Sequence, residues 1–221
     1  MGIPLRDISR RPAHRPVVTI SIIAINVFVF ILDLLGGNAF VQQWSVIPAN
    51  IMAGQRWVTI LTAMFMHGSW MHIIGNMVFL WAFGPEIEDA MGPVRYLVFY
   101  LLGGVLAFGA QIVAMSDSTV PNLGASGAIA AVMGAFIITY PRDKIKTLVV
   151  IFFFVSTPMI PAAALIGIWF LIQVFSVGSV ASVQTGGVAY MAHVGGFIFG
   201  VIFGRLFEDR RRLVEEGLIQ Q

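Results

Sequence analysis

The feature that most constrains this chain is the length of its apolar runs. From Val17 to Leu35 the sequence carries a single charged residue, Asp33, and five further apolar stretches follow. About 20 residues of helix cross a hydrocarbon core, so runs of this length make transmembrane helices the first expectation. Composition agrees, because 58% of the 221 residues are hydrophobic and 11% are charged, whereas a soluble domain carries roughly 25% charged residues.

The expected spans are residues 17–35, 69–84, 94–115, 124–140, 162–177 and 188–207, which makes an all-α integral membrane protein of six helices. Residues 38–66, with Trp44, Pro48 and Trp57, read as an interfacial loop between helices 1 and 2, since tryptophan favours the headgroup level. Residues 148–161 are apolar but interrupted by Pro158 and Pro161, and read as re-entrant or amphipathic. The domain organisation is then a basic N-terminal tail at 1–16, one membrane domain at 17–207 and a short tail at 208–221, with no internal repeat.

With six spans both termini share a side, and twelve of the thirteen Lys and Arg residues fall on it, leaving Arg56 alone opposite. Positive loops stay in the cytoplasm, so both termini are expected there. The first run is longer than a signal-peptide core and has no small-residue cleavage site, so it reads as a retained helix. With no transit peptide recognised, the expected location is a bacterial cytoplasmic membrane. The chain has no cysteine, which excludes a disulfide framework, a thiolate metal site and a cysteine nucleophile. Nothing in the sequence points to a cofactor, a metal or a nucleic-acid partner.

Polar side chains are expensive inside a bilayer, so those within the spans are the first candidates for function. His72 and Asn76 are four apart in the second span and share a helical face. Ser126 opens the fourth span between Gly124 and Gly127, where glycines permit a special turn and close backbone approach. His193 lies early in the sixth span, followed by Gly196 and Gly200 in small-xxx-small spacing. Each feature alone is commonly structural, through interhelical hydrogen bonding or helix packing. Their depth sets them apart: spans two, four and six run the same way, and at 1.5 Å per residue Ser126, His72, His193 and Asn76 fall within a layer of about 10 Å. This is the layer that water could reach through a shallow cavity, and a serine with a nearby histidine base suits nucleophilic catalysis.

Taken in order, Trp57, His67, the H-x-x-x-N of His72 and Asn76, Glu88 before Gly92, G-A-S-G around Ser126, and A-H-x-G-G around His193 followed by Gly200 resemble the rhomboid family of intramembrane serine proteases. The resemblance implies Ser126 as nucleophile and His193 as general base, in a dyad without an acidic member. It also implies an oxyanion hole formed by the Ser126 amide with Asn76 and His72. It further implies cleavage of membrane-protein substrates within the lipid bilayer, in or beside a transmembrane helix. Lateral access is expected near spans two and five, where the broken segment 148–161 leads into the fifth span. Asp33 and Asp117, the only carboxylates on the outer half, read as solvated helix termini, and His67 as a brace for its loop. One position departs from the pattern: four residues after the serine, where some rhomboids carry an aromatic that packs on the histidine, stands Ala130, so a residue of another helix is expected to hold His193. The rival readings are a catalytically silent rhomboid relative that binds or dislocates membrane proteins, and a small transporter.

Overall fold

The computed structural model describes residues 2–180 and 189–215. It opens with β1 (Ile3–Asp7), the long α1 (Val17–Trp44), and short α2 (Pro48–Met52) and α3 (Thr59–Thr62), followed by a 3-10 turn at Ala63–Phe65. Helices α4 (Trp70–Met91), α5 (Pro93–Ala114) and α6 (Ser126–Thr139) come next. Strands β2 (Lys144–Ile151), β3 (Phe154–Ser156) and β4 (Met159–Pro161) then lead to α7 (Ala162–Val180), α8 (Tyr190–Phe207) and α9 (Arg210–Glu215).

A helix that is apolar on every side has to be surrounded, and α6 is buried at every position from Gly127 to Phe136. It packs against α4, α5, α7 and α8, most extensively against α8. That contact rests on small residues: a Cβ on Gly196 would strike the Gly127 carbonyl, and one on Gly200 would strike the Ala131 carbonyl. The two backbones therefore touch, as small-xxx-small spacing allows. By contrast α1 turns Ile20, Val27, Phe28, Ile31 and Leu35 outward, all at least 45% exposed.

Among the described residues, three helices are long and apolar enough to cross a membrane: Val17–Trp44, Pro93–Ala114 and Tyr190–Phe207, with mean hydropathies of 2.5, 2.1 and 1.4. Residues Ser126–Thr139 and Ala162–Val177 are shorter apolar helices. The expected start of the sixth span, Val188, and the last residues of the C-terminal tail, 216–221, lie outside the described residues.

Several expectations need correction. The second span does not stop at Gly84: α4 runs on through Pro85 to Met91, and every residue from Ala82 to Met91 is buried. Packing of that last stretch outweighs the helix-breaking tendency of proline. The segment after the first span is not a loop throughout, because α1 continues to Trp44 after a break at Gly37, whose φ of 57° only glycine takes easily.

The fold is also not all-α. Residues 144–161, which include the stretch 148–161 read as re-entrant or amphipathic, form three strands, and with β1 they make a four-stranded antiparallel sheet. β2 is central: Ile3 pairs with Leu148 and Asp7 with Ile145 on one side, while Ile151 pairs with Phe154 and Ile145 with Ile160 on the other. The signal was in the sequence, since Lys144, Ile145, Lys146 and Thr147 alternate charged with uncharged β-branched residues and an apolar run of Leu148, Val149, Val150 and Ile151 follows. The first sixteen residues accordingly hold a strand, and Ala13 N–H and His14 Nδ1 bond the Asp89 carboxylate at 2.5 and 2.7 Å.

Ion pairs collect at one end of the bundle, where Arg10 meets Asp143, Arg212 meets Asp89 at 3.3 Å and Arg95 meets Asp209 at 3.8 Å. At this end Glu88 of α4 caps α1. Its carboxylate accepts from the amides of Val18 and Thr19 at 2.8 and 2.7 Å and from the Thr19 hydroxyl at 2.8 Å. These amides belong to the first turn of α1, which has no intrahelical carbonyl to bond, and Pro16 at its N-cap makes no side-chain cap.

Candidate active site

Ser126 is the first residue of α6, and the loop before it is held in place by backbone bonds. Val46 and Asn122 exchange N–H···O bonds of 2.9 and 2.7 Å, and the Gly124 amide donates to the Ala63 carbonyl at 2.9 Å. Gly124 has φ 131°, and a Cβ there would come within 2.9 Å of the His72 ring. Both the backbone angle and the closeness of His72 require glycine at this turn. Ile129 is bonded to the Ala125 carbonyl at 3.0 Å, so the amides of Ser126, Gly127 and Ala128 precede the first intrahelical bond and are unsatisfied by the helix itself.

Parallel packing of α6 on α8 then sets the pair. Gly127 meets Gly196, and one residue before the first and three before the second stand Ser126 and His193. Ser126 Oγ lies 2.7 Å from His193 Nε2, within hydrogen-bond reach. His193 is buried and Ser126 half-buried.

Above them opens a cavity of about 670 Å³, lined among others by His72, Asn76, Ser126, Met133, Trp169 and His193. All four polar candidates of the sequence thus line one cavity. Non-helical backbone at membrane depth is tolerated where it lines such a cavity, which accounts for the short α6 and its loop.

Asn76 is buried, and its amide Nδ2 lies 2.9 Å from His67 Nε2. Since Nδ2 can only donate, His67 Nε2 accepts, and that ring must be neutral. Burial, with His72 alongside, pushes His67 down to about 3, which keeps it so. The His67 amide donates to Asp33 Oδ2 at 3.0 Å. His67 therefore links α1 to α4 rather than bracing a loop alone. Asp33 is corrected in the same way: it is 6% exposed, not a solvated terminus, because α1 continues beyond it. Asp117 is exposed.

The residue holding His193 is one the sequence reading missed. His193 Nδ1 lies 2.7 Å from Gln173 Oε1 of α7. The Trp169 ring, one turn earlier on the same helix, sits 5.8 Å from the His193 ring. The signal available was a polar side chain inside an apolar helix, with Trp169 and Gln173 four apart on one face.

A hydroxyl in contact with an imidazole nitrogen, next to helix-terminal amides that the helix leaves unbonded and a carboxamide, suits attack on a carbonyl carbon with stabilisation of the oxygen charge. Known proteins point the same way. A family profile described as a rhomboid domain matches residues 54–210. The mitochondrial Rhomboid protein 1 of Saccharomyces cerevisiae is 27% identical over 196 residues, which cover 86% of this chain and 53% of that protein. Rhomboid protease GluP of Bacillus subtilis is 30% identical over 127 residues, 56% of this chain and 24% of that one. The human mitochondrial Presenilin-associated rhomboid-like protein is 28% identical over 184 residues, 81% and 45% of the two chains. This chain spans about half the length of these relatives or less.

Proposed function

The chain belongs to the rhomboid family, and from that premise we propose that it is a serine endopeptidase that cuts other membrane proteins in or beside a transmembrane helix. The observation that carries this reading is the 2.7 Å contact between Ser126 Oγ and His193 Nε2 inside the cavity.

In the proposed reaction Oγ attacks the scissile carbonyl carbon while Nε2 takes its proton. Charge on the carbonyl oxygen is met by the Ser126 amide, Asn76 and His72. The imidazolium then gives its proton to the leaving amine, and water hydrolyses the acyl-enzyme on Ser126. No metal or organic cofactor enters. A helical substrate hides its carbonyls in its own hydrogen bonds, so it must unwind locally, and small or helix-weakening residues favour that. Entry is proposed between α4 and α7, whose residues His72 and Trp169 both border the cavity.

The proposed topology has six crossings by residues 17–207, with α4 included, and both tails in the cytoplasm. Its support is the charge distribution, twelve of thirteen cations on one side. A bacterial cytoplasmic membrane suits that asymmetry, and mitochondrial names among the relatives make the inner mitochondrial membrane the alternative. Because the chain has no cysteine, single cysteines at Arg56 and Arg211 can be tested with an impermeant maleimide on intact cells expressing the protein. Labelling of the former alone supports the topology.

The function is tested by exposing purified, lipid-supplemented protein to a fluorescent fluorophosphonate beside Ser126→Ala and His193→Ala. Labelling of the unmodified chain alone supports the dyad. A folded protein that never labels favours the silent, client-binding relative instead.

A further inference from the structure

Resting on the protease reading above, we propose that Gln173 is a positioning residue for His193, a neutral third member of the dyad supplied by α7. A neutral imidazole carries one N–H, and the nitrogen without it is the one that can accept a proton. For Nε2 to take the Ser126 proton, the ring hydrogen must sit on Nδ1. Gln173 Oε1, 2.7 Å from Nδ1, only accepts, and so draws the hydrogen there.

An amide has a second face, and that face would be harmful. If Gln173 turned its Nε2 toward the ring, it would donate to Nδ1 and push the ring hydrogen onto Nε2, the tautomer that cannot act as base. An amide in place of a carboxylate at this position in a catalytic triad has that consequence. Here the orientation is fixed from behind, because Gln173 Nε2 donates to the Trp169 carbonyl at 3.3 Å, an oxygen that can only accept. Gln173 is 5% and His193 8% exposed, so water does not compete for either bond.

The same helix supplies the ring contact that Ala130 cannot. The Trp169 ring is tilted 36° to His193 at 5.8 Å and also meets Phe197 at 6.4 Å. Trp169 and Gln173, one turn apart, thus fix the plane and the tautomer of the base. The helix that borders the cavity is also the one that sets the base.

Gln173→Met keeps the length of the side chain and removes the acceptor, Gln173→Leu removes it with different packing, and Gln173→Glu, assayed at a pH where its carboxyl is ionised, only accepts. Fluorophosphonate labelling rates over a range of probe concentrations separate the limiting rate from the apparent affinity. We expect Met and Leu to lower the limiting rate by about 10–100-fold at unchanged affinity, the usual loss for an orienting partner, and Glu to keep most of it. Imidazole nitrogen NMR should find the His193 hydrogen on Nδ1 in the unmodified chain and divided between both nitrogens in the Met variant. Met and Leu variants labelling at the full rate, or Glu losing as much as Met, overturn the positioning role while leaving the protease reading intact. An unmodified chain that does not label overturns that reading and this inference with it.

Discussion

Gly127 of α6 and Gly196 of α8 meet backbone to backbone, so that a Cβ on Gly196 would run into the Gly127 carbonyl. The Ser126–His193 separation of 2.7 Å is a consequence of that contact, since both side chains stand at the same end of the two parallel helices.

Gly196→Ala should therefore injure the site from a distance. The methyl has to push α8 from α6, at a cost of about 1–3 kcal/mol for an overpacked contact. A shift of that kind can cost about 10²-fold in rate. Melting temperature and labelling rate should both fall, while Gly109→Ala, whose methyl meets nothing within 4 Å, should change neither.

If the proposed reaction holds, Asn76→Ala should lower turnover of a transmembrane peptide substrate by about 10²–10³-fold with little change in KM, the usual loss of one oxyanion donor. His67→Ala leaves the carboxamide in place but frees its orientation, and a loss of about 10–100-fold is expected there. A greater loss for His67 than for Asn76 would reverse the assignment of the two roles.

Glu88→Ala removes the carboxylate that caps α1 and leaves the Val18 and Thr19 amides without it. Hydrogen bonds to a charged group contribute about 1.5–3 kcal/mol. The unfolding free energy in detergent should drop by an amount of that order and the melting temperature with it, while labelling well below the transition stays at the unmodified rate.

The strand β1 should be pH-sensitive. Burial, with the Asp143 carboxyl alongside, lifts Asp7 from 3.8 to about 7, against the opposing Ser9 amide and Arg10. Between about pH 4 and 7 the folded chain then holds a proton that the unfolded chain has released, so β1 docking weakens as pH rises through that window. Hydrogen-exchange protection of β1 amides, corrected for intrinsic rates, should fall by at most about tenfold per pH unit, the limit for one proton. Asp7→Asn should reduce the dependence.

Much of the site was legible because membrane helices leave few polar residues to choose among. His72, Asn76, Ser126 and His193 stood out by chemistry, and the known rise per residue put them at one depth. Gln173 escaped because a lone glutamine in an apolar helix bonds as readily to its own helix as to another, as Nε2 does to the Trp169 carbonyl. Its meaning is a contact with a ring 20 residues away, across a segment of which 181–188 lie outside the described residues. Asp33 was misread for a related reason. Its span was ended at Leu35, although α1 runs to Trp44, and its partner is the His67 amide 34 residues on.

By itself the sequence determined that the chain is helical through its longest apolar runs, that the small residues of α6 and α8 permit backbone contact, and which serine and histidine are available. These follow from local rules: backbone groups in an apolar medium must bond within the segment, and a residue without a large side chain takes little room. Only the tertiary structure decided that β1 joins β2, that α4 continues past Pro85, that Glu88 caps α1, and that α7 supplies the partner of His193. Each of these depends on which buried donor meets which acceptor. Such pairings are between groups far apart in the chain, and a lone polar residue carries no record of its partner.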